Sequence, residues 1–442
     1  MHWTEIAGRR VVILGTGREA RAAAEALHGI AASIAATDDS DTEAAAAWRE
    51  RWGDAVPVIV AGDPAEIARS FDVAVKSPGI SPHHPLVVFL AEAGLSITSG
   101  TDLWMSQHAA TTTGITGSKG KSTTSSLIAH LLAASGVDAV LGGNIGVPLL
   151  ALPPADRAVV ELSSYQCESL STSPDVAVLT SLFAEHLDWH GSEQRYFADK
   201  LNLVANGPRV IVANAEDATL VATLAALHPA AAVRWVGAQN EYRLSETHLM
   251  RATEPIIALA DLPLLGRHNA LNAAIALAAA DASGERISAD TARAALASFT
   301  PLEHRLEPII DQSGIIFIND SLSTSPFAAI EALKAFPAPE LVLLVGGQDR
   351  GVDYAPLAVH LAAHPIAAVV GLPPSGARIL ATIDGVHTEL ADSMLDAVTR
   401  ARALLGTNGV VLLSPAAPSY GIYRDFADRA VDFRRAITAT AP

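Results

Sequence analysis

Short apolar runs that stop at a glycine or a carboxylate, each followed by a helical pattern, recur along the chain and predict an alternating α/β protein. Arg10-Val11-Val12-Ile13-Leu14 reads as a buried strand, and Gly15-Thr16-Gly17-Arg18-Glu19-Ala20-Arg21 turns it into an alanine-rich helix. A second strand ends at Ala36-Thr37-Asp38-Asp39, and Val73-Ala74-Val75-Lys76 runs into the tight turn Ser77-Pro78-Gly79-Ile80. These elements predict a small Rossmann-like domain over residues 1–98, although the glycine loop lacks its usual third glycine. Thr111-Thr112-Thr113-Gly114-Ile115 and Val210-Ile211-Val212-Ala213-Asn214 predict strands of a central domain over 99–299, with a helix over 270–280. After Pro301 the pattern restarts at 314–320, 341–347 and 409–415, which predicts a third, mainly parallel sheet in a domain over 300–442.

The sharpest chemistry lies at Thr116-Gly117-Ser118-Lys119-Gly120-Lys121-Ser122-Thr123, a glycine-rich loop between a strand and a helix. Glycines let backbone N–H groups turn onto phosphate oxygens at a helix N-terminus, Lys121 neutralises phosphate charge, and the Ser122 hydroxyl suits Mg²⁺. Only two residues separate Gly117 from Gly120, where the commonest form has four. The fold class is therefore α/β in three domains: N-terminal Rossmann-like, central P-loop ATPase-like with a parallel sheet, and C-terminal Rossmann-like.

Other residues gather round this loop in the reading. Glu161 ends the run Ala158-Val159-Val160-Glu161, at the C-terminal end of a strand where open α/β sheets bind ligands. Phe183-Ala184-Glu185-His186-Leu187-Asp188-Trp189-His190 concentrates two imidazoles and two carboxylates, a density that suits metal or phosphate. Lys200 follows on a predicted helix, where alone it would be an ordinary surface charge. Asn269 and Asn272, three apart, share a helix face, and helix capping is the plainer account of them. Arg305 and Asp320 stand at the entrance to the third domain, placed to clamp a triphosphate and ribose.

Composition narrows the class. The 442 residues exceed one ordinary core, half are hydrophobic and only 17% charged, which excludes bulk disorder. A net charge of −17 argues against nucleic-acid binding. Cys167 is alone, so no internal disulfide forms, no apolar run approaches the ~18 residues of a membrane span, and a cytoplasmic protein without membrane insertion is expected.

Taken together, Thr116 to Ser122, Gly142-Gly143-Asn144-Ile145-Gly146, Glu161-Leu162-Ser163-Ser164, Glu185-His186, Lys200, Gly266-Arg267-His268-Asn269 with Asn272, His304-Arg305 and Asn319-Asp320-Ser321 resemble the Mur ligases in identity and order. Those are ATP-dependent amino-acid ligases of peptidoglycan synthesis. Ser77-Pro78-Gly79-Ile80, Glu161 to Gln166 and Leu413-Ser414-Pro415-Ala416-Ala417 look most like the glutamate-adding members. The resemblance implies that ATP phosphorylates the carboxylate of UDP-N-acetylmuramoyl-L-alanine and that the glutamate amine displaces phosphate from the acyl phosphate. It further implies ATP contacts at Gly117, Ser118, Lys119, Gly120, Lys121, Ser122, Thr123, Asn269, Arg305 and Asp320. Mg²⁺ would be served by Ser122, Glu161, His186 and Lys200, with Lys200 carbamylated and Lys121, Glu161, His186 and Lys200 as the catalytic set. UDP would sit on Gly15, Thr16, Gly17, Arg18, Asp38, Ser77 and Gly79, and Asn144 would contact substrate.

Two departures matter. The lysine that glutamate-adding members carry two residues after the aspartate of Asn-Asp-Ser is absent from Asn319-Asp320-Ser321-Leu322-Ser323-Thr324-Ser325-Pro326, and Gly346-Gly347-Gln348-Asp349-Arg350 offers Arg350 where a lysine is familiar. Arg350 suits a carboxylate fork, and Thr324, Ser419 and Phe426 complete the glutamate pocket implied by the resemblance. The altered segment, with the Gly15-Thr16-Gly17-Arg18 loop and Glu185 to Gly191, resembles a divergent branch that adds L-glutamate, whose product a separate epimerase later inverts. L-glutamate is favoured over D-glutamate, and a monomer is expected. Rival readings are a folylpolyglutamate synthase, against which residues 1–98 count, and a non-catalytic ATP-binding switch.

Overall fold

The computed structural model describes residues 1–336 and 339–442, with every side chain except that of Asp188. Among the described residues the chain forms three sheets. In the first, Arg10–Leu14 lies at the centre of five parallel strands, between Ser33–Asp38 and Val73–Lys76, with Val58–Val60 and Ser96–Ser99 at the edges. Val11, Val12, Ile13 and Leu14 are buried because helices cover both faces, which is why the strand reads as a continuous apolar run rather than an alternation.

The second sheet has nine strands. Thr112–Thr116 is flanked by Arg157–Glu161 and Val176–Leu179, Ala139–Gly143 forms one edge, and Val210–Asn214 and Ala232–Val236 extend the other side. The extension ends in an antiparallel meander, Tyr242–Leu244, His248–Arg251 and Glu254–Ala258, which the sequence reading did not anticipate. Its polar alternation is closed by a buried clasp: Asp281 accepts from the Tyr242 hydroxyl at 2.8 Å and from Arg251 at 3.1 Å.

The third sheet runs in the order Glu307–Ile310, Ile315–Asn319, Gly409–Leu413, Leu341–Val345, Ala368–Gly371 and Thr388–Leu390, antiparallel only at its first pair. The chain divides into two compact units, Met1–Leu262 with Leu271–Phe299, and Pro263–Ala270 with Thr300–Pro442. The first unit holds two sheets and the second holds the third. Among the described residues no helix is long and apolar enough to cross a membrane.

Candidate active site

Thr112–Thr116 is buried along its whole length and delivers the chain into the glycine loop, after which Lys121–Ala134 forms a helix anchored by Leu127, Ile128, Leu131 and Leu132. Gly117 sits at φ +151°, and a Cβ there would lie 2.0 Å from Thr180 Oγ1 and 2.9 Å from the Ser181 nitrogen, so only glycine fits. Gly120, at φ +87°, precedes the helix and supplies no side-chain cap, and the N-terminus of a helix favours an anion.

The segment 180–183 backs the loop. Ser118 N–H donates to Ser181 O at 2.8 Å, Lys119 N–H to Ser181 Oγ at 2.9 Å, and the Ser118 hydroxyl to Phe183 O at 2.6 Å. Thr180 Oγ1 donates to Lys119 O at 2.6 Å. This rigid frame holds open a cradle in which Lys121 Nζ donates to the Gly117 and Ser118 carbonyls at 2.9 and 3.1 Å. Ser122 and Thr123 are buried in the first turn. Lys119 pairs with Glu185 at 2.9 Å. Burial disfavours the Glu185 carboxylate, yet Lys119 and then Lys121 bring its pKa below the ordinary range.

Glu161 pairs in register with Ile115 of the loop-bearing strand, so it lies next to the cradle. It is 1% exposed. Asn144 donates its side-chain amide to Glu161 Oε1 at 2.7 Å and its backbone N–H to Glu161 O at 2.9 Å, while Oε2 is buried with no hydrogen-bond partner among the described residues. An unpaired buried carboxylate oxygen is costly and marks a place where a cation fits. Gly143 permits this approach, since its Cβ would stand 2.3 Å from Glu161 O.

Lys200, on the helix Glu193–Ala205, is 2% exposed and donates to the Gly117 carbonyl at 2.8 Å. Burial, followed by the charge of Lys121, lowers its pKa to about 7. A neutral amine beside a phosphate cradle is open to addition of CO₂. The side chains of Glu185, His186 and His190 do not converge on one point, and that of Asp188 lies outside the described residues: Glu185 faces Lys119, His190 faces Asp199 at 2.7 Å, and His186 is exposed in a left-handed conformation, φ +54°, with its ring 5.2 Å from that of Tyr165. Among the described residues no three His, Cys, Asp or Glu side chains form a group that could hold a metal ion.

A cavity of about 660 Å³ opens beyond Asn144. Gly15, Thr16, Gly17, Arg18, Asp38, Ser77, Gly79 and Asn144, eight residues given site roles from the sequence, all line it, together with Ser163, Tyr165 and Gln166 of the Glu161 to Gln166 motif, which were given none. Thr16 Oγ1 donates to Asp38 at 2.5 Å, and Arg18 donates to the Gly146 carbonyl at 2.9 Å. Ser77 Oγ is buried without a partner among the described residues, and a Cβ on Gly15 would meet it at 2.9 Å.

The remaining sequence candidates fall in the second unit. Asn269 lies in the first turn of the helix Arg267–Ser283 and donates to Leu265 O at 2.8 Å. Arg305 lies between His304 and Leu306, which both have positive φ, +63° and +48°. Asp320 accepts from the Ser414 hydroxyl at 2.8 Å. Thr324 precedes Ser325, which caps the helix Pro326–Ala335; Ser419 is buried, and Phe426 opens the final helix Phe426–Ala439. Arg350 bonds Gln348 at 3.1 Å in a loop whose Asp349 is gripped by Arg378 at 2.6 Å. Sequence reasoning missed Arg429, 1% exposed, which donates to Ser321 Oγ, Ser321 O, Gly346 O and Ala417 O and so ties together three strand-end loops. Its only sequence signal was an arginine on an otherwise apolar helix face.

A glycine-loop cradle, a carboxylate beside it with one unpartnered oxygen, and a cavity lined by the asparagine that holds that carboxylate suit an ATP-using ligase, and the comparisons agree. Residues 115–280 match the Mur ligase middle domain. The chain belongs to the Mur ligase family. Within it, the chain is 46% identical to the UDP-N-acetylmuramoyl-L-alanine–L-glutamate ligase of Salinispora tropica, covering 100% of both chains, and 39% identical to that of Xanthomonas euvesicatoria, covering 98% of this chain and 96% of the other. Among solved structures, it resembles the MurF ligase of Thermotoga maritima in complex with ADP, with a TM-score of 0.63 at 17% identity, over 99% and 97% of the two chains. The MurC UDP-N-acetylmuramate-alanine ligase of the same organism gives 0.59 at 18%, over 98% and 100%. These two likenesses establish the three-domain α/β fold.

Proposed function

We propose that this chain is an ATP-dependent ligase that joins L-glutamate to UDP-N-acetylmuramoyl-L-alanine in peptidoglycan precursor synthesis. The observation that carries the reading is Asn144, which lines the 660 Å³ cavity and also holds Glu161 beside the phosphate cradle. One residue thus joins the side where a nucleotide sugar would present its carboxylate to the side where a phosphoryl group would be offered.

In this reading residues 1–98 hold the uridine nucleotide, 99–299 the triphosphate and 300–442 the amino acid. The cradle N–H groups and Lys121 would orient the phosphates, Ser122 and Glu161 would hold one Mg²⁺, and His186 with Lys200, whose carbamate would supply an anionic oxygen, would serve a second. Bound Mg²⁺ would neutralise phosphate charge as it develops on transfer. Asn269, Arg305 and Asp320 are assigned to ATP, and Thr324, Arg350, Ser419 and Phe426 to glutamate. The substrate carboxylate oxygen takes the γ-phosphoryl group as ADP leaves, the unprotonated glutamate amine then attacks the carbonyl carbon, and phosphate and the amine's proton are lost as the amide forms. Most of this catalysis is positioning and charge neutralisation. A cytoplasmic monomer fits the reading, and by resemblance to the L-glutamate-adding branch a separate epimerase would act downstream.

The test is phosphate release from ATP with each substrate omitted in turn. Release that needs both UDP-N-acetylmuramoyl-L-alanine and glutamate supports the ligase. Release indifferent to both would favour the nucleotide switch.

A further inference from the structure

A buried polar chain lies between the cavity and Lys200 and has no part in the chemistry above. His190 Nδ1 meets Asp199 Oδ2 at 2.7 Å, and Nε2 meets Ser164 Oγ at 2.9 Å. The His190 and Asp199 side chains are 0% and 2% exposed, and Ser164 is also buried. Asp199 takes Arg195 Nε on its other oxygen at 2.9 Å. A carboxylate only accepts, so Nδ1 carries the hydrogen and Nε2 is left for the Ser164 hydroxyl. The His190 ring is fixed on its flanks as well, stacked with Tyr165 at 5.5 Å and met edge-on by Trp189 at 4.4 Å and Tyr196 at 5.1 Å.

Each end of the chain is attached to a residue that matters. Asp199 precedes Lys200 on one helix, where successive side chains differ by about 100° in direction, so pinning Asp199 sets where Lys200 points. Ser164 opens the short helix Ser164–Cys167 three residues after Glu161. A pair of apolar side chains would fill the same space without the cost of desolvating a carboxylate and an imidazole, so a polar chain retained here is suited to setting register.

We propose that His190 is a positioning residue: through Asp199 and Ser164 it fixes the helix that carries Lys200 against the strand end that carries Glu161. This rests on the reading of Lys200 as the carbamylated residue.

The experiment follows the carbamate carbon by NMR in full-length protein equilibrated with ¹³C-bicarbonate. His190→Ala is expected to lower the carbamate signal about tenfold, in line with losses on removing groups that orient metal ligands. His190→Asn, whose amide reaches the Nδ1 position and keeps the bond to Asp199, is expected to retain most of it. An undiminished signal in folded His190→Ala, beside a clear wild-type signal that Lys200→Ala removes, would overturn the proposal alone. No signal in the wild type would overturn the Lys200 reading and the proposal with it. If His190→Ala does not fold, Ser164→Ala removes one hydroxyl from the same chain; a clear loss of signal supports the proposal and none overturns it.

Discussion

Asn144 Nδ2 donates to Glu161 Oε1 at 2.7 Å, and Glu161 Oε2 is left buried with no partner among the described residues. A carboxylate fixed by one oxygen presents the other in a set direction, which is what a cation site beside a phosphate cradle needs. Asn144→Ala frees that carboxylate. We expect turnover to fall about 10- to 100-fold and the Mg²⁺ concentration for half-maximal rate to rise. Steady-state rates across a Mg²⁺ titration check this, and an unchanged Mg²⁺ requirement would contradict it.

Gly117→Ala forces a Cβ to within 2.0 Å of Thr180 Oγ1 at a φ of +151°. The loop must then leave the frame formed by 180–183, with a strain of about 1–3 kcal/mol from the backbone alone. The expected result is a protein that has lost binding of a non-hydrolysable ATP analogue, measured by calorimetry, and that melts below the wild type.

Lys200 carries the pH prediction for activity. Burial first, then Lys121, brings its pKa from 10.5 to about 7. Because the folded value is depressed, the unfolded chain holds a proton that the native one has released between about pH 7 and 10.5, so this group's contribution to stability rises with pH across that window. The amine form reacts with CO₂, and its fraction grows from about one tenth at pH 6 to about nine tenths at pH 8. Enzyme depleted of CO₂ is expected to regain activity on adding bicarbonate faster at pH 8 than at pH 6. Lys200→Ala is expected to be inactive and to be partly restored by a short carboxylic acid; wild-type activity in the unrescued variant would remove the carbamate from the account.

Cys167 gives a prediction with the opposite sign. Burial pushes its thiol from 9.0 up to about 11 against a smaller pull from Lys200. The native state keeps a proton that the unfolded chain releases, so its stabilising contribution is complete below about pH 9 and is lost by about pH 11. At pH 8 about one thiol in a thousand is thiolate, and the side chain is inaccessible. Native protein is expected to resist a thiol-reactive dye at pH 8 and to react with one equivalent once unfolded. Prompt labelling of folded protein would contradict the packing described for this helix.

The residues that could be read from sequence were those whose reason is local. Gly117 and Gly120 are required by the turn they occupy, Glu161 ends an apolar strand, and the loops at Gly15 and Ser77 follow buried strands, so each announces itself within a few positions. What could not be read depends on distant partners. Thr180 and Ser181, which frame the cradle, lie more than sixty positions from Lys119. Ser164 and His190 meet across 26 positions, and Arg429 reaches Ser321 across 108. Asn144 was not legible as the holder of Glu161, because that bond needs two neighbouring strands in register. The antiparallel meander 242–258 escaped for another reason: its strands are only three to five residues long and mix apolar with charged positions, and the buried Asp281 clasp that holds Tyr242 and Arg251 comes from a later helix.

The central claim is tested most directly by supplying UDP-N-acetylmuramoyl-L-alanine, ATP and Mg²⁺ with either L-glutamate or D-glutamate, and determining the mass and stereochemistry of the product. The account predicts a product one glutamyl residue heavier, formed with L-glutamate and not with D-glutamate. Product formed with D-glutamate alone would contradict it.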